Sequence, residues 1–152
     1  MACLTIDTPT GPVLVCETGG MIVSVVWDSK KRHADNAAVL QDAKRQIGEY
    51  FSGARTEFDL PLLVNGSKLQ QAVCEQMQQI PFGETVTYGD LAKRLKTPAQ
   101  AIGQACGGNP IPLIIPCHRV LGANGLGGFS GGTGIETKVQ LLRHEGAGGL
   151  LI

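Results

Sequence analysis

The sequence predicts an α+β fold: a small N-terminal antiparallel sheet with a helix, followed by a mostly helical C-terminal domain with a helix-turn-helix and an active-site loop. Three observations carry this expectation. Short apolar or alternating runs separated by Pro and Gly clusters occupy the first 27 residues, as hairpin-linked strands do. Beyond them, apolar residues recur at helical spacing in several separate stretches. A proline- and glycine-rich region at 109–134 then breaks the helices and carries Cys117 next to His118.

Cys3 to Asp7, Val13 to Glu17 and Met21 to Trp27 are the three strands, parted by Thr8-Pro9-Thr10-Gly11-Pro12 and Gly19-Gly20. From Ala37 to Phe51, the residues Val39, Leu40, Ala43, Ile47, Tyr50 and Phe51 form one helical face. Asn36 is placed to cap its start and Gly53 to end it. A further strand is expected over Glu57 to Val64. Asn65-Gly66 then leads to Ser67, the cap of a helix running to about Gln79. The domain boundary falls here, giving parts 1–66 and 67–152.

Thr87 followed by Asp90 has the form of a capping box and opens a helix through Leu95. Thr97-Pro98-Ala99-Gln100 repeats the device for a helix that stops at Gly107-Gly108, and the two make a helix-turn-helix candidate. Asn109 to Pro116 holds three prolines and four large aliphatic residues, an order that reads as a rigid, buried, extended segment. Gly122 to Gly134 contains seven glycines in thirteen residues, either a surface loop or a pocket wall that lets backbone approach a flat ligand. A last helix spans about Ile135 to Glu145.

Composition narrows the function classes. The 152 residues, 43% apolar, suffice for a real core, and the net charge is zero. Residues 1–66 hold six basic and eight acidic side chains and residues 67–152 hold seven and five, so the second part is the better suited to an anion. That is far short of the basic footprint of a strong nucleic-acid binder. Five cysteines form an odd set without a Cys-x-x-Cys pair, which argues against a disulfide framework and a zinc ribbon. His33, His118 and His144 are scattered, so no metal site is expected. With no apolar run of about 20 residues and no signal-peptide layout, a soluble, intracellular protein is the expectation, with a monomer as the default.

The chemistry centres on Ile115-Pro116-Cys117-His118-Arg119-Val120. An ordinary thiol, with a pKa of about 8.5, gives only a few per cent of reactive thiolate near neutrality. A free cysteine is most often a small buried apolar residue; stiff chain before it and histidine after it favour a nucleophile here.

Taken in order, several elements resemble the O6-alkylguanine-DNA alkyltransferases, the methylated-DNA–protein-cysteine methyltransferase family. These are Pro81-Phe82-Gly83-Glu84, Thr87-Tyr88, Gly108-Asn109-Pro110, the Pro-Cys-His-Arg-Val element, Gly128-Phe129-Ser130-Gly131-Gly132, and Leu141-Leu142 with His144-Glu145-Gly146. The resemblance covers roughly residues 67–146, behind a ribonuclease-H-like support domain.

It implies stoichiometric transfer of an alkyl group from O6 of guanine in double-stranded DNA to Cys117, after base flipping, with no cofactor and no protein partner identified. His118 would take the thiol proton through a water, Glu145 would orient His118, and Asn109 would tie the nucleophile's turn to the helix-turn-helix. Tyr88 would donate to guanine N3 and Ser130 to O6. The carbonyls of Cys117 and Val120 would read the exocyclic amine, and Pro112 would belong to the substrate site. Thr87, Ala99, Gln100 and Gly103 would meet DNA. The chain departs from the family at Gln100, where an arginine usually enters the base stack, and residues 98–107 contain no Lys or Arg. Weakened duplex binding is therefore expected, with Gln100 also assigned to the capping box of Thr97. Two other functions fit the same residues: a non-catalytic sensor of O6-alkylguanine, and a cysteine hydrolase using Cys117, His118 and Glu145.

Overall fold

In a computed structural model the described residues are 1–28, 30–127, 131–132 and 134–147. Strands β1 (Ala2–Ile6), β2 (Val13–Thr18) and β3 (Met21–Trp27) form an antiparallel meander in the order β1-β2-β3. A bulge between Cys16 and Glu17 shifts the β2–β3 register. Helix α1 (Ala38–Ser52) lays Leu40, Ala43, Ile47 and Tyr50 on this sheet, each at most 1% exposed. Gly53 ends it in the left-handed conformation, φ 86°, donating to the carbonyls of Glu49 and Tyr50. This is the C-cap that glycine adopts without a Cβ clash.

Three expectations for the N-terminal part are corrected. Asn36 does not cap α1, whose N-cap is Ala37 with no side-chain bond. Residues 57–64 form no strand; a single parallel bridge joins Leu62 to Ile22, through Ile22 N–H to Pro61 O (2.8 Å) and Leu63 N–H to Ile22 O (2.9 Å). Pro61 has no N–H to extend the ladder. Instead the buried Gln46 amide pairs with both backbone groups of Asp59, at 2.9 and 2.8 Å, doing locally what a strand partner would. Finally, the odd cysteine count conceals one disulfide. Cys3 and Cys16 face each other across β1 and β2 and are bonded, a proximity created by strand register and invisible in their spacing.

The second part begins with α2 (Lys68–Gln78), where the Ser67 hydroxyl accepts from Gln70 N–H as expected. A two-residue strand β4 (Val86–Thr87) leads into α3 (Tyr88–Leu95). Both bonds of the Thr87/Asp90 capping box are present: Asp90 N–H to Thr87 Oγ1 at 3.0 Å and Thr87 N–H to Asp90 Oδ2 at 2.9 Å. The box predicted at Thr97/Gln100 is absent. Lys96 turns the chain through a left-handed conformation (φ 52°), and the Thr97 hydroxyl donates back to Leu95 O at 3.0 Å. Helix α4 (Ala99–Gly107) therefore starts from Pro98 without a side-chain cap, and Gln100 is exposed.

Residues 109–116 are buried or half-buried, yet they are folded and not extended. Ile115 N–H returns to Ile111 O at 2.8 Å around a tight turn in which Leu113, 1% exposed, has φ 75°. A left-handed leucine stores backbone strain of about 1–3 kcal/mol, which the surrounding packing overcomes. A 3-10 turn (Cys117–Arg119) and strand β5 (Val120–Leu121) follow; β5 lies parallel to β4 with Val86 opposite Val120. Helix α5 (Ile135–Glu145) closes the described chain, ended by left-handed Gly146. One continuous buried cluster runs from Leu4 to Leu141, through both parts.

Candidate functional site

The turn after α4 fixes the nucleophile candidate. Asn109 accepts from Ile111 N–H at 3.0 Å and donates from Nδ2 to Ile115 O at 2.9 Å, closing the loop that delivers Cys117. Cys117 N–H donates to Ile115 O at 2.8 Å, and the thiol is 8% exposed at the start of the 3-10 turn. Burial pushes it up to about 11; a hydrogen bond with Asn109 and the nearby charge of Lys138 act in the opposite sense. The resting group is therefore a thiol that needs a base.

His118, the next residue in the chain, is one candidate. It is completely buried, and its Nε2 lies 2.8 Å from Glu145 Oε2. Arg119 grips the same carboxylate from the adjacent position, Nε to Oε1 at 2.8 Å and Nη2 to Oε2 at 2.9 Å, while its Nη1 donates to Ile80 O at 2.7 Å. Burial alone would raise the Glu145 carboxyl, but the bonds and charges of His118 and Arg119 prevail and hold it well below the usual carboxylate range. An ionised carboxylate only accepts, so His118 Nε2 carries the hydrogen toward it. In the neutral ring the lone pair is then on Nδ1, a buried atom without a hydrogen bond to any described residue. Burial lowers the pKa of His118, outweighing the Glu145 hydrogen bond and charge, so the ring is a neutral base near pH 7.

Two groups in this centre escaped sequence reasoning. Tyr50 of α1 donates to Glu145 Oε2 at 2.6 Å; at sequence level it is one apolar position among six. Lys138 of α5 is completely buried and donates to Val120 O at 2.7 Å and Leu126 O at 2.5 Å. Burial lowers its pKa to about 8, against the opposing influence of Cys117 and Cys106. A signal existed, because Lys138, Leu141, Leu142 and Glu145 follow an i, i+3, i+4, i+7 pattern that puts both charged residues on the inward face.

Tyr88, the first residue of α3, lies against the glycine loop. Its ring centroid is 5.9 Å from Lys138 Nζ, and a Cβ on Gly127 (φ 72°) would come within 2.9 Å of its Cε2 and Oη. The close backbone approach expected of this loop is thus made to Tyr88. The Val120 carbonyl faces Lys138, and the Cys117 carbonyl accepts from Val120 N–H. Pro112 lines a cavity of about 380 Å³ with Val26, Trp27, Asn109, Pro110 and Gly131. Ser130 and Phe129 lie outside the described residues.

The DNA-contact candidates sit on β4 and α4. Ala99 and Gln100 are exposed in the first turn of α4, and a Cβ added to Gly103 one turn on would meet no atom within 4 Å, leaving an open, uncharged face. Thr87 is half-buried and occupied by its cap. Lys93, Arg94 and Lys96 on and after α3 are partly or fully exposed.

Residues 68–147 match the family model described as 6-O-methylguanine DNA methyltransferase, DNA binding domain, and residues 1–64 match the ribonuclease-like domain of the same description. The chain belongs to this family. A methylated-DNA–protein-cysteine methyltransferase of Methanosarcina acetivorans is 38% identical, the match spanning 93% of this chain and 96% of the relative. One from Mycolicibacterium paratuberculosis is 39% identical over 93% of this chain and 90% of its own. The crystal structure of Mycobacterium tuberculosis OGT in complex with DNA superposes with a TM-score of 0.85 at 37% identity, covering 96% of this chain and 93% of that one. Membership in the 6-O-methylguanine DNA methyltransferase family makes the chain a DNA-binding methyltransferase of DNA repair, with the α+β architecture predicted from its sequence. Among the described residues no helix is long and apolar enough to cross a membrane.

Proposed function

We propose that this chain repairs DNA by moving an alkyl group from O6 of guanine to the sulfur of Cys117, once per molecule. The observation that carries the proposal is the array of buried Cys117, His118 and Glu145 with half-buried Asn109, in a chain whose relatives are cysteine methyltransferases. His118 Nδ1 receives the thiol proton through a water. The thiolate attacks the saturated carbon bound to O6, a C–S bond forms as the C–O bond breaks, and the electron pair stays with the guanine, which is reprotonated. Sulfur suits displacement at carbon, and the resulting thioether has no ready hydrolytic exit.

Tyr88 donates to guanine N3 and Ser130 to O6, stabilising negative charge as it develops on the leaving base. The carbonyls of Cys117 and Val120 accept from the exocyclic amine, each with a lone pair beyond the bond it already receives. Pro112 forms part of the alkyl pocket. Duplex DNA meets Thr87, Ala99, Gln100 and Gly103, and the target nucleotide leaves the stack at a cost of a few kcal/mol. Gln100 stands where an arginine would neutralise phosphate and fill the stack, so duplex binding is weak. In this reading residues 1–66 support a transfer and DNA-binding domain at 67–152, and the protein acts as a monomer.

The test is to incubate the protein with duplex DNA carrying one O6-methylguanine and weigh the intact polypeptide beside Cys117→Ala. A gain of one methyl, lost in the variant, supports transfer. Binding without any gain in mass makes the protein a lesion sensor, and release of free product with turnover makes it a hydrolase.

A further inference from the structure

Glu145 Oε2 receives three donors: His118 Nε2, Arg119 Nη2 and, closest of all, the hydroxyl of Tyr50 at 2.6 Å. The tyrosine is 95 residues away and comes from α1, in the part of the chain matched by the ribonuclease-like model. Its ring is fixed on several sides, with centroids of Phe51 at 4.9 Å, Phe58 at 5.4 Å, Phe82 at 6.0 Å and His144 at 4.8 Å. His144 Nε2 also donates to the Tyr50 carbonyl at 2.7 Å. The ring alone would complete this packing. The hydroxyl is the addition, and it points at the one carboxylate that orients His118.

A donor on Oε2 competes with the His118 N–H for the same electron density. Without it the oxygen would hold the imidazole more strongly and favour its protonated form, which cannot accept a thiol proton. We propose that Tyr50 is a positioning residue for alkyl transfer, its hydroxyl fixing the Glu145 carboxylate and restraining the basicity of His118 through it. This rests on the proposed role of His118 as acceptor of the Cys117 proton. Among the described residues the other charged or titratable groups at the centre include Arg119 and Cys117 on the 3-10 turn, Lys138 and His144 on α5, and the buried thiols of Cys74 on α2 and Cys106 on α4 beside Cys117, and Tyr50→Phe replaces none of them.

Tyr50→Phe keeps the ring and removes only the donor. Single-turnover transfer from O6-methylguanine duplex is to be followed by intact mass between about pH 5 and pH 9, the range in which a perturbed imidazole titrates, together with duplex affinity and the ring-nitrogen NMR titration of His118. The expected result is a roughly tenfold lower transfer rate with unchanged affinity, and an acid limb and His118 midpoint both moved to higher pH. A fluorinated tyrosine at position 50, a stronger donor of nearly the same shape, moves the midpoint the opposite way and serves if the phenylalanine variant is unstable. Wild-type rate with an unmoved midpoint overturns the proposal, and so does a slower rate with an unmoved midpoint, which reduces Tyr50 to packing. If the wild type takes up no methyl group, the functional reading fails on its own, and the His118 titration still decides the role of Tyr50.

Discussion

Arg119 holds both oxygens of Glu145 inside the protein, the two side chains being 8% and 0% exposed. The neighbouring residue, His118, uses the same carboxylate. Consecutive positions in a three-residue turn thus converge on one acid, the cation helping to keep it ionised while His118 Nε2 bonds to it.

Breaking that pair leaves a buried charge without compensation. Arg119→Ala is expected to destabilise the fold by about 3–5 kcal/mol, read from urea denaturation. A loss below about 1 kcal/mol would mean that Glu145 turns to solvent or takes a proton when its partner goes.

Acid should unfold the protein through the same cluster. Glu145 is held below its usual range and His118 is lowered by burial, so for both groups the unfolded chain binds more protons than the native one. Stability is present above the unfolded values. It is lost first as pH falls below about 6.5, through His118, and further as it falls through about 4.3 toward the depressed native value of Glu145. Urea midpoints measured from neutrality downward should show this fall, and the double variant His118→Asn with Glu145→Gln should flatten it.

With its pKa near 11, the free Cys117 thiol should react slowly with a small electrophile at neutral pH. Labelling by iodoacetamide, mapped by peptide mass, should quicken roughly tenfold per pH unit up to that value. Asn109→Ala removes a hydrogen bond that lowers the thiol pKa and loosens the turn, so labelling at a given pH should drop. Fast labelling of the wild type at pH 7 would place the thiolate in a different environment.

Gly127→Ala places a methyl 2.9 Å from the Tyr88 ring at a backbone φ of 72°. Overpacking of this kind costs about 1–3 kcal/mol, and Tyr88 must move. Methyl transfer should slow at least about tenfold, the rate equivalent of 1.4 kcal/mol, while Gly125→Ala, whose Cβ direction is open, should change it little.

Gln100→Arg should tighten duplex binding and steepen its dependence on salt by about 0.9 in the log–log slope, the signature of one added phosphate contact. Gln41→Arg, exposed on α1, is the control and should do neither. Equal effects from both would remove Gln100 from the DNA face.

Local chemistry was readable in the sequence wherever a few consecutive residues decide it. Ser67, the Thr87/Asp90 box and Gly53 act within one turn, and each does so as their order implies. Thr97/Gln100 has the same written form and fails, because the left-handed turn at Lys96 commits the threonine to Leu95 before the next helix begins. The strand expected at 57–64 failed for a related reason: Gln46, far off in sequence, satisfies Asp59 first.

By itself, then, the sequence determined the first three strands and the order of the five helices, the α+β class and, through its motifs, the family with Cys117, His118 and Glu145 as its chemical candidates. Only the tertiary structure decided who partners whom: Cys3 with Cys16, Lys138 with Val120, and Tyr50 with Glu145. Periodicity reports which face of an element is buried and is blind to what lies opposite. A buried donor must find an acceptor wherever packing brings one within about 3 Å, and that choice is made only when both parts of the chain have folded around the same core.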